Sequence, residues 1–171
     1  MITPRRQLLK VLFLLFVMGV CGKLVAAQGD PKPRVKVLDS VSTKVGVLQL
    51  RRVHDDGIGE TNWYVALKGK ILYRTKDDVF GSVSFHTIFK SNDEDEILLQ
   101  ETFDTGGCVQ FRMILITQAA KPTVSERFGN CNGRPVITQD AGMVKFDFPV
   151  KAPLASRNGV WIYKAGSLIK Q

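Results

Sequence analysis

Histidine and cysteine are scarce in this sequence, and their scarcity removes much of the chemistry a chain of 171 residues could carry. It has two histidines and three cysteines, and no cysteine pair has the C-x-x-C spacing of a redox motif. There is no G-x-S-x-G nucleophile elbow, no phosphate-binding loop and no dinucleotide glycine pattern. No apolar run reaches the roughly 20 residues a membrane-spanning helix needs. No window of a dozen residues keeps a 3.6-residue period either; at most a helical turn fits near Ala152 to Arg157. The sequence therefore names no catalytic residue, no metal ligand and no cofactor.

What is present begins with a secretory leader. Arg5, Arg6 and Lys10 charge the front, Val11 to Gly22 are uncharged and mostly apolar, and Val25-Ala26-Ala27 supplies small residues for cleavage. The expectation is a signal peptide over residues 1–27, cleaved after Ala27, with the mature chain starting at Gln28. Two other routes stay open. Cys21 could be lipidated, although Val20 stands where lipoprotein signals want Gly, Ala or Ser. Arg5-Arg6-Gln7-Leu8-Leu9-Lys10 fits twin-arginine export, with Lys23 near the cleavage point. A periplasmic or secreted protein with no stable membrane span in its mature form is expected.

Removing the leader changes the charge argument. The whole chain carries a formal +8, but four of its basic residues lie in the leader, so the mature chain has 20 basic against 16 acidic side chains, a net +4. That is weak ground for nucleic acid as a partner, and none is expected. The charge is segregated along the mature chain: residues 28–53 carry +4, residues 54–105 carry −6 and residues 106–171 carry +6. Such separation suits either acidic and basic strands lying side by side or a surface that steers a charged partner.

Periodicity predicts strands nearly throughout. Val83, Phe85, Thr87 and Phe89 alternate with Ser82, Ser84, His86 and Lys90, which places His86 on a solvent face. Val144, Phe146, Phe148 and Val150 alternate with Lys145, Asp147 and Lys151. Val109 to Ile116 is apolar on both faces, the pattern of a central strand. Further strands are predicted over 35–41, 45–53, 63–67, 71–74, 97–103, 124–128, 135–139, 160–164 and 168–170. Lys68-Gly69-Lys70 and Lys164-Ala165-Gly166-Ser167 read as hairpin turns. The fold class is thus all-β: antiparallel hairpins in a single sandwich or barrel-like domain over 35–171, behind a flexible mature N-terminus at 28–34.

Beyond the leader only Cys108 and Cys131 remain, and in an oxidising compartment they predict one disulfide. Thr105-Gly106-Gly107-Cys108 runs into the apolar strand, and Phe128-Gly129-Asn130-Cys131 closes a later one. With the Tyr64 to Lys70 strand-and-turn and the aromatic hairpin near the C-terminus, these motifs resemble a group of small exported bacterial β-rich proteins that share a Gly-Gly-Cys … Phe-Gly-x-Cys pair. The resemblance covers roughly residues 63–170. Val109 and Asn132 stand where that group more often has Pro and Ser. It implies export, a disulfide and no transferable catalytic residue.

Two charged segments are candidate interaction loops. One is His54 to Asn62, with His54, Asp55, Asp56 and Glu60; the other is the acidic tip Asn92 to Glu96, with Asp93, Glu94, Asp95 and Glu96. Neither spacing matches a calcium or zinc loop, and both are expected to be exposed. The expectation for function is a non-catalytic binding domain whose partner is another envelope or secreted protein. A small envelope hydrolase using carboxylates and a structural envelope protein are the alternatives.

Overall fold

The computed structural model describes residues 32–76, 80–103, 107–140, 142–149 and 159–171. The leader expected at 1–27, the residues that follow it up to 31 and the helical turn expected at 152–157 lie outside them. Lys32–Gln171 forms one compact unit.

Twelve antiparallel strands are present among the described residues. They are β1 (Arg34–Thr43), β2 (Gly46–Asp55), β3 (Glu60–Leu67), β4 (Lys70–Lys76), β5 (Phe80–Lys90), β6 (Glu94–Phe103), β7 (Val109–Thr117), β8 (Thr123–Val124), β9 (Val136–Asp140), β10 (Met143–Asp147), β11 (Val160–Lys164) and β12 (Ser167–Lys170). They form three four-stranded sheets in the orders β1-β2-β3-β4, β5-β6-β7-β8 and β12-β11-β10-β9. The all-β expectation holds, and none of the sheets closes into a barrel. Two turns follow directly from the chain. Lys68-Gly69 and Ala165-Gly166 each hold two successive positive φ angles, the signature of the two-residue turn whose twist matches that of its strands.

The central sheet explains the stack. Ile97, Leu98 and Leu99 on β6, and Met113 and Ile114 on β7, are all fully buried. Successive side chains point to opposite faces, so both faces of this sheet must be covered. On one face Val83, Ile97, Leu99, Ile114 and Ile116 meet Val41, Leu48, Leu50, Trp63, Val65 and Leu67 of the β1–β4 sheet. On the other, Phe89, Leu98, Phe111, Met113 and Phe128 meet Val144, Phe146, Phe148 and Tyr163 from the β9–β12 side. Each such side chain contributes about 1.5–3 kcal/mol by leaving water, so two cores hold three layers together. The aromatic core is interlocked, with Phe128 5.0 Å from Phe146 and 5.7 Å from Trp161 between ring centroids. Gly159 sits where a Cβ would lie 2.5 Å from the Phe148 carbonyl oxygen, which accounts for glycine at the entry to β11.

One strand departs from the alternation read in its letters. The pairing of β5 with β6 shifts between Phe85 and Thr87. This bulge at His86 sends Val83 and Phe85 to one core and Phe89 to the other. His86 is consequently half-buried rather than solvent-facing, edge-on to Phe111 at 5.8 Å, with Nδ1 2.7 Å from Thr87 Oγ1. Burial, and secondarily the charge of Arg134, hold its imidazole below the ordinary value. The neutral ring is favoured in the folded state, so its stabilisation is full above the ordinary histidine pKa of about 6.5 and is lost as pH falls through the folded value. The melting temperature is expected to drop as pH falls below about 6.5, and to drop less in His86→Gln; equal slopes in thermal melts would remove His86 as the cause.

The disulfide links Cys108, just before β7, to Cys131, with Cα atoms 4.4 Å apart. The predicted strand over 124–128 is reduced to the two residues of β8 and an isolated bridge of Phe128 to Phe111. The staple therefore closes a loop that has little ladder of its own.

Candidate functional site

Both acidic segments are partly engaged in the fold: Asp56, the turn at 57–59 and Asp93 are exposed as expected, and the other carboxylates are wholly or partly buried. In the first, Asp55 Oδ1 accepts a hydrogen bond from the Gly57 amide at 2.9 Å and Asp55 O one from Gly59 at 2.8 Å, which shapes the turn between β2 and β3. Asp56 accepts a hydrogen bond from the Arg34 guanidinium and lies 3.2 Å from His54 Nε2. The Arg34 hydrogen bond holds the Asp56 carboxyl below its ordinary value. His54 Nδ1 is 2.8 Å from Thr61 Oγ1. This hydroxyl–imidazole–carboxylate row orders the turn, with Thr61 buried and the carboxylate held by a guanidinium. Glu60 is half-buried at the start of β3, paired across the ladder with Asp55.

The acidic tip is a correction. The strand was expected from Ile97, but β6 starts at Glu94 because Glu94, Asp95 and Glu96 pair with Thr117, Ile116 and Leu115 of β7. Strand geometry then throws the carboxylates to opposite faces. Asp95 is 1% exposed, and its Oδ2 accepts the Lys44 amide hydrogen at 2.7 Å, tying the β1–β2 turn to the central sheet. Glu96 is half-buried on the other face, where burial, and secondarily Glu94, raise its carboxyl above the ordinary range. Only Asp93 remains fully on the surface. Asp95→Ala is expected to cost about 1–3 kcal/mol by leaving the part-buried Lys44 amide without its acceptor, while Asp93→Ala stays within about 0.5 kcal/mol. Urea unfolding of the two variants checks this, and equal losses would contradict it.

The sequence reading missed a buried ionic cluster. Glu101 is fully buried and accepts hydrogen bonds from Tyr73 Oη at 2.6 Å, Arg112 Nε at 3.2 Å and Arg127 Nε at 2.7 Å. Arg112 also donates to the Ser125 carbonyl at 2.9 Å and stands 4.7 Å over the Tyr73 ring. Burial, then the Glu101 hydrogen bond, raise the Tyr73 phenol above its ordinary value, so it stays a donor. A carboxylate in step with Ile97 and Leu99 on an apolar face was the available signal.

It also missed a row of cations on the first sheet. In the β1–β2 register Lys36 lies directly opposite Arg52, and in the β2–β3 register Arg52 lies opposite Trp63. Lys36 and Arg52 are both exposed, and the Arg52 guanidinium stands 5.5 Å over the Trp63 ring. Among the described residues no carboxylate pairs with either. Like charges placed opposite each other on a ladder destabilise by about 0.2–1 kcal/mol, so the row is a cost to the fold. Among the described residues no group of three histidine, cysteine or carboxylate side chains is placed to hold a metal.

No family model, no curated protein and no solved structure matches this chain.

Proposed function

We propose that the mature chain is an exported, non-catalytic binding protein, and that its contact surface is the cationic row of the first sheet rather than the acidic loops. The observation that carries this reading is the pair Lys36 and Arg52, opposite each other and, among the described residues, without a carboxylate partner, while Asp56 and Asp95 are already engaged by Arg34 and the Lys44 amide. The partner is then an envelope or secreted protein with an anionic face. Opposed cations on the rim of such an interface raise the association rate and make it sensitive to salt. The leader and the disulfide support export. On this reading the soluble form begins at Gln28 without lipid; an acylated Cys21 terminus in intact mass would overturn it, and loss of export on replacing Arg5 and Arg6 by Lys would assign the twin-arginine route.

The test of binding uses the immobilised full-length mature protein and an envelope extract, with the captured protein identified by mass spectrometry. Lys36→Glu with Arg52→Glu should abolish capture with little change in melting temperature, since one opposed pair of like charges replaces another on an exposed surface. Capture that survives both the double substitution and 0.5 M salt (about a threefold shorter screening length than at 0.05 M) would sink the reading.

A further inference from the structure

Resting on that reading, we infer that the partner binds by adding an extended strand to the free edge of β1, and that this strand alternates acidic with β-branched apolar residues. Three observations converge on that edge. First, β1 is the outermost strand of its sheet, and its residues from Arg34 to Ser40 are exposed without a break. A ten-residue edge is long for a strand that presents unpaired backbone donors and acceptors, which proteins commonly shorten or cover.

Second, the side chains along the edge alternate in a way that specifies a partner. Arg34 and Lys36 sit opposite His54 and Arg52, whereas Val35 and Val37 sit opposite Val53 and Arg51. An incoming strand shares this pleat. Its residue beside Lys36 lies on the face that already holds Lys36, Arg52 and Trp63, and a carboxylate there faces two cations that no described carboxylate pairs, Lys36 directly and Arg52, stacked on Trp63, across the next strand. Its neighbours lie beside Val35 and Val37, which are 58% and 49% exposed, and β-branched side chains cover them. Arg34 is already neutralised by Asp56, so the strongest demand for a carboxylate falls at Lys36.

Third, the pairing of β1 with β2 shifts between Val37 and Asp39. That bulge interrupts the ladder at Leu38 and limits a regular added strand to the Arg34–Val37 stretch. Main-chain hydrogen bonds then supply affinity and the alternating side chains supply selectivity, the mode by which sheet edges take up peptides. A second copy of this chain is a poor occupant, because two antiparallel β1 edges in the same plane bring Arg34 and Lys36 of one beside those of the other.

The experiment measures binding of fluorescent heptapeptides to the mature protein by anisotropy. The probe is Glu-Val-Glu-Val-Glu-Val-Glu. Its block isomer Glu-Glu-Glu-Glu-Val-Val-Val has equal charge and composition, and two N-methylated forms of the alternating peptide remove the amide donors of one edge or the other. The alternating peptide should bind at least tenfold more tightly than its block isomer. One N-methylated form should lose binding while the other keeps it, and Lys36→Glu should weaken the alternating peptide at least tenfold. Equal binding of the two isomers, or survival of binding in both N-methylated forms, overturns strand addition while leaving a salt-sensitive cationic surface in place. Lys36→Glu without effect on peptide or extract capture overturns the underlying reading as well. A dimer in light scattering that the alternating peptide fails to dissociate also overturns the proposal, since the edge is then taken by a second copy.

Discussion

Glu101→Ala is expected to cost about 3–5 kcal/mol of folding stability, a large share of the 5–15 kcal/mol that holds a typical native protein. The reason is the company Glu101 keeps rather than any net gain from its ion pairs. Its carboxylate has no exposure and takes one hydrogen bond from Tyr73 and one each from Arg112 and Arg127. Truncation leaves a largely buried Arg112 guanidinium and a phenolic donor without their acceptor, and stranded buried polar groups are the expensive outcome. Glu101→Gln keeps the volume but removes the charge, so it should fall between wild type and Ala. The combined change Tyr73→Phe, Glu101→Leu, Arg112→Leu, Arg127→Met, which also removes the phenolic donor, should recover most of the loss, because packed apolar groups often replace a buried ionic cluster at no cost. Urea unfolding read by circular dichroism measures all three. A loss below about 1 kcal/mol for Glu101→Ala would mean that water reaches the cluster and solvates what remains.

Opening the Cys108–Cys131 link is expected to have a comparable effect. The two cysteines are 23 residues apart, and a closed loop of that length is worth about 3–4 kcal/mol through the entropy it removes from the unfolded chain. Upstream, Ser125 holds the loop to β7, its amide donating to Met113 O at 2.8 Å and its Oγ accepting from the Met113 amide at 2.9 Å, and the ties thin out toward the cysteine. The bridge of Phe111 to Phe128 is isolated, and Gln110 Nε2 reaches Cys131 Sγ only at 3.7 Å. Loss of the staple should therefore loosen Phe128, which touches Phe111, Phe146, Phe148 and Trp161, and with it the packing of the β9–β12 sheet. Cys131→Ser and reduction should lower the melting temperature by the same amount. Unequal shifts, or thiols found by non-reducing peptide mapping of native protein, would contradict the assignment.

The layered core was legible where the sequence is apolar on successive residues. Val109 to Ile116 has the pattern of a central strand, and β7 lies inside the central sheet with both faces packed. The hairpin turns at Lys68-Gly69 and Ala165-Gly166 were legible from glycine placement. The bulge at His86 was not, because the letters of β5 alternate without a fault and only the pairing with β6 shifts. The acidic segment misled for a related reason. A run of carboxylates reads as a hydrated loop, yet pairing with β7 draws Glu94 to Glu96 into the ladder and turns Asp95 inward. The opposed cations were invisible for a third reason: Lys36 and Arg52 are distant in the chain, and the antiparallel register of β1 on β2 alone sets them side by side.

Amide hydrogen exchange of the mature protein, with and without the alternating Glu-Val heptapeptide, tests the cationic edge as the contact surface most directly. An added strand should slow exchange at alternate amides of Arg34 to Val37, leave the edges β9 and β12 unchanged, and do neither in Lys36→Glu. Protection confined to the turn at Asn92 and Asp93, or no change along β1 while the peptide is bound, would contradict it.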